Sequence, residues 1–291
     1  MTTTTERRHA AGSPQRPAGG KSGPPRMEWF RKHLVLILGL LVLLYTFVPI
    51  FVVVLMSFND PSSRVVYQFD GFTLHNWLNP CEPEGMCGSL KVSIEIGLLS
   101  TIGATILGTL AAFALVRHSF VGRSGANLLI FLPMAAPEIV LGSSLLALFV
   151  ASGRSGELGF WTILVAHIMF CLSFVVVTVR ARLAGLDDNL EQAAMDLYAT
   201  PSQTFWRVTF PLVFPGILGA ALLSFSLSFD DFIITNLNAG NTTTFPMFVW
   251  GAAQRGVPMQ VNVIGTLMFI ISIVIVVGAE LQSRRRQRKL V

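Results

Sequence analysis

Six stretches of the chain are apolar for long enough to cross a bilayer. A helix rises about 1.5 Å per residue, so a hydrocarbon core of about 30 Å needs roughly 20 residues. The stretches are 34–56, 92–116, 126–150, 160–179, 212–229 and 261–279. The first carries no charge, and the second and third carry one Glu each. Apolar and polar positions do not alternate with period two, which sets aside a β-barrel. The pattern predicts an all-α membrane protein with six transmembrane helices, its membrane domain running over 34–281.

The polar segments between these stretches set the orientation. Residues 1–33 are rich in Thr, Gly, Pro and Arg, cannot bury a core, and read as a disordered basic tail. Residues 282–291 read as a second basic tail. These tails and the loops after the second and fourth stretches hold 17 of the 21 Lys and Arg residues. Only Arg64, Lys91, Arg154 and Arg255 fall on the other side. The positive-inside rule therefore puts both termini in the cytoplasm. The first apolar stretch begins too late and runs too long for a signal peptide, so it is expected to stay as an anchor.

Composition agrees. Hydrophobic residues make up 52% of the chain and charged ones 13%, about half the usual charged share of a soluble domain. A soluble enzyme, a disulfide-built secreted module and a disordered chain are all excluded. The net charge of +5 follows from topology and anionic lipid headgroups, so membrane lipid is the expected partner of the basic face and nucleic acid is not. Cys171 lies inside the fourth stretch as a small buried hydrophobe. Cys81 and Cys87 lie in the outer loop 58–90, where they can close a local disulfide or stay as thiols. No His is spaced with them for a metal site.

Three features of the membrane stretches carry chemistry. The third holds Pro133 and Pro137, followed by Glu138 at its thirteenth residue, near mid-membrane. Proline kinks a helix. A carboxylate at that depth either bonds into the kink or faces a cavity, and its cost favours the cavity. The fifth stretch ends in Ser228-Phe229-Asp230-Asp231. These acids either cap a solvated helix end or meet an organic cation, which gains charge pairing and a cation–π contact from aromatic neighbours. Trp77, Phe229 and Trp250 are the candidate faces. Beyond them, the segment 233–258 is too apolar for a plain loop, and Phe245 to Trp250 can start a short re-entrant helix. Ala104, Gly108 and Ala112 in the second stretch make a small-residue stripe for close helix packing. Glu95 is spaced to pair with Lys91 on one helix face.

The loop 180–210 carries the most specific signal. Asp188 with Glu191 can open one short helix, and Thr200 with Gln203 and Pro201 a second. Two short helices joined by a turn form a knob on the basic side, fit to dock into a groove of a soluble partner.

This loop resembles the EAA loop of binding-protein-dependent ABC importer permeases, whose pattern is Glu-Ala-Ala, three residues, Gly, nine residues, Ile, one residue, Leu-Pro. Gln192-Ala193-Ala194 stands at the first three positions, Tyr198 at the Gly, Val208 at the Ile and Phe210-Pro211 at the Leu-Pro. Glu191 precedes the motif, and Asp196-Leu197, Ala199 and Pro201 match common family usage. Gln for Glu and Tyr for Gly are departures. Further matches narrow the resemblance to PotC-type permeases of spermidine/putrescine importers. They are Phe58-Asn59, Gly71-Phe72-Thr73, Pro137-Glu138-Ile139-Val140, 170–179, and Leu227 to Asp231.

The resemblance implies a type I ABC importer permease in the bacterial inner membrane, without catalytic activity of its own. It implies a second, PotB-like permease subunit, a dimer of ATPase subunits and an extracytoplasmic substrate-binding protein. ATP and Mg would sit on the ATPase, and this chain would bind no cofactor. Glu191, Gln192, Ala193, Ala194, Asp196, Tyr198, Ala199 and Pro201 would couple to the ATPase. Polyamines carry several ammonium groups, each costly to strip of water unless paired. Glu138, Asp230, Asp231, Ser228, Trp77, Phe229 and Trp250 are the candidate pathway residues. Importers of ferric ion, thiamine or sulfate share the architecture and stay open at this point. So does a secondary transporter working alone, with Glu138 as its ion site. No Walker A sequence, nucleophile elbow or HExxH occurs.

Overall fold

A computed structural model describes residues 25–63, 68–153, 155–187 and 189–288, and for 25–32, 155 and 279–288 it describes the backbone alone. Among the described residues the regular elements are helices, with one isolated bridge between Asn59 and Phe72. The described residues up to Val52 and those from Val53 on form separate units. The first unit is the helix α1 (Pro25–Met56) as far as Val52. Its side chains from 33 to 49 are exposed. Thr46 donates its hydroxyl back to the Val42 carbonyl at 2.8 Å, which satisfies that group without water. Helix α1 starts inside the stretch 1–33 that was expected to be disordered. The last helix likewise runs to Arg288, inside the expected tail 282–291. Arg and Gln are good helix formers, so a charged extension continues the helix it follows. The expectation for 1–24 lies outside the described residues.

The second unit holds the rest. The short α2 (His75–Leu78) lies in the outer loop, followed by α3 (Met86–Arg117). Next come α4 (Arg123–Ala135), α5 (Glu138–Ala151), a 3-10 turn (Ser155–Glu157) and α6 (Phe160–Ala184). The expected knob is α7 (Asn189–Asp196) and α8 (Pro201–Thr204). A π-helical turn (Phe205–Thr209) leads into α9 (Phe210–Asp230). Two short helices, α10 (Ile233–Asn238) and α11 (Phe245–Ala253), precede α12 (Met259–Arg288). Among the described residues, five helices are long and apolar enough to cross a membrane, six if one bent pair of helices counts as a single span.

That bent pair corrects the single helix expected over 126–150. Helices α4 and α5 meet at 110°. Pro137 has no N–H to donate and forces Ala136 into an extended conformation, ψ 139°. The chain therefore breaks at 136–137, where a kink was expected, and Glu138 becomes the first residue of a new helix.

The core lies among α3, α6 and α9, around Ala104, Ala112, Cys171, Val175, Val179, Val213 and Ala220. The small-residue stripe faces α6: a Cβ on Gly108 would come within 2.7 Å of Val175. Helix α10 packs on α5, where a Cβ on Gly142 would lie 2.8 Å from Leu237 and 3.2 Å from the Ile234 Cα. Asn238 ties the pair by donating Nδ2–H to the Gly142 carbonyl at 3.2 Å.

The outer loop forms a small ordered cap. Buried Asn59 accepts from the Asp70 amide at 2.7 Å, and Thr73 donates its amide to the Phe58 carbonyl at 2.8 Å. Asp70 accepts from both the amide and the hydroxyl of Ser62, which holds its carboxyl below the usual carboxylate range. Cys81 and Cys87 are joined in a disulfide, and Lys91 pairs with Glu95 at 3.8 Å.

Candidate functional site

Helix α9 ends where its apolar run ends, at Asp230, and the chain turns through Asp231 (ψ 126°) into α10. The 110° break brings the start of α5 to the same place. Between them lies a cavity of about 720 Å³, lined by Glu138, Asp230, Asp231, Phe229, Phe232, Phe245 and Trp250 with apolar neighbours. Among the described residues, no Lys or Arg lines it. Glu138 and Asp230 are both exposed. Glu138 stands in the first turn of α5, where the helix dipole favours a negative charge.

Aromatic rings close the other walls. Phe232 and Trp250 lie with ring centroids 5.1 Å apart, and Phe229 and Phe245 lie 6.4 Å apart. Pro246 opens α11 at a position where its missing N–H costs nothing. The expected re-entrant segment is thus two short helices, and the second presents Trp250 to the acids. Carboxylates and aromatic faces in one apolar cavity can hold a cation by charge pairing and by its attraction to ring faces.

Asp231 is turned to a different task. Its carboxylate accepts from the Thr235 amide at 2.8 Å, the Thr235 hydroxyl at 2.9 Å and the Ile234 amide at 3.4 Å. These bonds satisfy the open first turn of α10. His167 Nε2 lies 3.4 Å from the same carboxylate and 2.9 Å from Thr235 Oγ1. On its other edge, His167 Nδ1 lies 2.7 Å from Ser228 Oγ, and Ser100 donates its hydroxyl to Ser228 at 2.8 Å. One consistent donor order runs from Ser100 to Ser228 to Nδ1, and from Nε2–H to Thr235 and Asp231. This buried chain links α3, α6, α9 and α10. Ser228 belongs to it and not to the cavity wall.

Sequence reasoning passed over His167. Its signal was a lone imidazole within the apolar stretch 160–179, four residues before Cys171. Trp77 is not brought to the cavity. It stacks on Phe58 at 5.3 Å and donates Nε1–H to Ser57 Oγ at 3.2 Å, so it braces the outer cap.

On the opposite, basic side the knob forms as two short helices. Thr200 and Gln203 make the reciprocal capping box, with the Thr200 amide donating to Gln203 Oε1 at 3.0 Å. Asp188, half of the other expected box, lies outside the described residues. Tyr198, at the Gly position of the motif, has φ 63°, the left-handed conformation that glycine adopts freely. Leu197 and Tyr198 are 82% and 95% exposed, an apolar tip open to a partner. Gln192, Ala193, Met195 and Asp196 are also exposed, and Ala194 and Ala199 are half-buried. The Glu191 carboxylate points inward to Arg117 and Thr209. The Arg117 guanidinium bonded to it, helped by the Thr209 hydroxyl, holds its carboxyl below the usual range.

Comparison with known proteins follows this geometry. The profile of the family described as "Binding-protein-dependent transport system inner membrane component" matches residues 104–288. The putrescine transport system permease protein PotI of Escherichia coli (strain K12) is 34% identical over 272 residues, covering 91% of this chain and 94% of the relative. The spermidine/putrescine transport system permease protein PotC of the same strain is 34% identical over 245 residues, covering 84% and 91%. Among solved structures, a chain of a bacterial ABC transporter involved in the import of the acidic polysaccharide alginate superposes with a TM-score of 0.59 at 16% identity. It covers 91% of this chain and 99% of that chain. At that identity the likeness is one of fold.

Proposed function

This chain belongs to the family of binding-protein-dependent transport system inner membrane components, and from that premise we propose that it is the transmembrane permease subunit of an ATP-driven polyamine importer. The family supplies membrane components of transporters, not enzymes. The cavity between α5, α9 and α11 is the observation that carries the substrate class. Glu138 and Asp230 line it with aromatic rings beside them and, among the described residues, no Lys or Arg. Spermidine or putrescine would exchange water for carboxylate oxygens and ring faces there. The names of the curated relatives point to the same solutes. An anionic solute such as sulfate would meet repulsion from both acids.

In this reading the fold is of the type I importer permease kind, with both termini in the cytoplasm, as the distribution of cations favours. A second, PotB-like permease subunit completes the pathway. A substrate-binding protein delivers the solute from outside. An ATPase dimer, which holds ATP and Mg, docks on α7 and α8. Glu138 and Asp230 receive the cation as the pathway opens. Phe229, Phe232 and Trp250 cover its methylene segments, and Asp231 keeps α10 in place behind them.

Uptake competition tests the reading. Cells lacking this chain, and cells restored with it, are given labelled putrescine or spermidine against unlabelled polyamine, ferric ion, thiamine and sulfate. Restoration of uptake that only polyamines compete away is the expected result. Restoration that ferric ion, thiamine or sulfate competes away would overturn the substrate class.

A further inference from the structure

The knob is joined to the bundle by more than its chain connections. Arg117 Nη1 donates to Glu191 Oε2 at 2.6 Å, and Arg117 Nη2 donates to Oε1. Thr209 donates its hydroxyl to the same Oε1. The Glu191 side chain is 21% exposed, whereas its neighbour Gln192 is open. One carboxylate therefore gathers three elements.

Two of those elements, α3 and the π turn that feeds α9, lead to the cavity end of the bundle. Arg117 is the last residue of α3, whose outer half carries Ser100, bonded to Ser228. It also carries Ser93, which accepts from the Phe245 amide at 2.8 Å, at the start of α11. Thr209 is the last residue of the π turn that feeds α9, and α9 ends at Asp230 in the cavity. A π turn holds an extra residue per turn and recurs at functional positions. Here it leaves Thr209 against Glu191. Two parallel N–H···O bonds between a guanidinium and a carboxylate fix direction as well as distance. Partial cover makes salt screen the pair less than an open surface pair.

We propose that Glu191, Arg117 and Thr209 form a mechanical joint that passes movement of α7 to α3 and α9, and so to the cation cavity. Glu191 and Arg117 act as positioning residues inside this chain, and the exposed Gln192, Met195, Leu197 and Tyr198 are left to meet the ATPase. The inference rests on the reading of α7 and α8 as the ATPase-docking knob.

The test uses the full complex, with both permease subunits, ATPase and binding protein, in proteoliposomes. Glu191→Gln, Arg117→Gln, the exchange of both (Glu191→Arg with Arg117→Glu) and Thr209→Val are compared with wild type. Three quantities are read. They are co-purification of the ATPase, labelled polyamine taken up per ATP hydrolysed, and the nucleotide-dependent change in distance between spin labels at Asn189, the exposed first residue of α7, and Ser226. Each single Gln variant loses the two-bond guanidinium–carboxylate contact that fixes the geometry of the joint, so uptake per ATP should fall at least about tenfold. Co-purification should persist, the distance change should shrink with uptake, and the exchange should recover both within about threefold. Thr209→Val, which removes one bond of three, should lie between.

Single variants that keep both the distance change and uptake per ATP would overturn the joint. Loss of ATPase co-purification in Glu191→Gln, unrestored by the exchange, would overturn it too, because Glu191 would then be a direct contact. The distance change needs nucleotide and not a particular solute. If wild type shows it without polyamine uptake, the substrate reading fails, and the joint is judged on the distances alone.

Discussion

In the proposed importer, Glu138 and Asp230 are the residues on which uptake of a cation should depend most directly, because both line the acid-and-ring cavity. Replacing Glu138 by Gln or Asp230 by Asn keeps shape and removes charge. Each change should lower polyamine uptake at least about tenfold, in keeping with the loss of a charge-assisted hydrogen bond to an ammonium group, about 1.5–3 kcal/mol. ATPase co-purification should stay at wild-type level. Uptake by the two variants in restored cells checks this. His167 has a different part. Its imidazole is 1% exposed and bonded on both edges, so His167→Ala leaves Ser228 and Asp231 short of partners. A loss of about 2–3 kcal/mol of stability is expected, read from thermal unfolding of the purified protein. The acids were legible in the sequence because a carboxylate in an apolar run has few uses. The division of labour between Asp230 and Asp231 was not. Adjacent acids look alike until the turn into α10 aims one at backbone amides and the other at the cavity.

Tyr198 and Glu191 are the residues of interest in the knob. A β-branched side chain resists φ 63° more than tyrosine does. Tyr198→Val should therefore cost about 1–2 kcal/mol, while Tyr198→Gly should leave Tm unchanged or slightly raised. Glu191 gives a pH dependence of known sign. Its folded pKa lies below the unfolded value, so its contribution is complete above the ordinary value of about 4.3. The contribution is lost as pH falls through the lower, folded value. The Tm difference between wild type and Glu191→Gln should hold steady from neutral pH to about pH 5 and shrink below that. A difference that instead grows on acidification would contradict the bonding of Glu191 to Arg117.

At the level of elements, the apolar stretches located the membrane helices well, because length and hydropathy are local properties. The knob was legible for a similar reason. The capping residues Thr200, Pro201 and Gln203 act within one turn. Thr200→Ala should cost about 1 kcal/mol and raise hydrogen exchange of the amides at 203 and 204 by about fivefold. The break between α4 and α5 was only half legible. Pro137 announces a disturbance, but whether a helix bends slightly or turns through 110° depends on what receives the second arm. Here α10 receives it at Gly142 and Asn238. Trp77 was misplaced because an aromatic residue in an outer loop serves a cap or a pathway with the same local sequence. Its partner Phe58 lies nineteen positions earlier.

For the molecule as a whole, the structure carries its chemistry at two ends. Acids and rings gather at one, and an apolar knob with an inward-turned carboxylate stands at the other. Helices α3 and α9 run between them, with the Ser100–Ser228–His167 chain as a cross-tie near the cavity. The proposed role as one subunit of an ATP-driven complex predicts that this subunit reconstituted alone gives no uptake above empty vesicles. The measurement that tests the central claim most directly is ATP-driven uptake of labelled spermidine and putrescine by the reconstituted full complex. It compares wild type with the Glu138→Gln, Asp230→Asn double variant. Uptake by wild type, with loss of at least about tenfold in the double variant at preserved ATPase assembly, is the predicted result. Equal polyamine uptake by the two complexes would contradict the account.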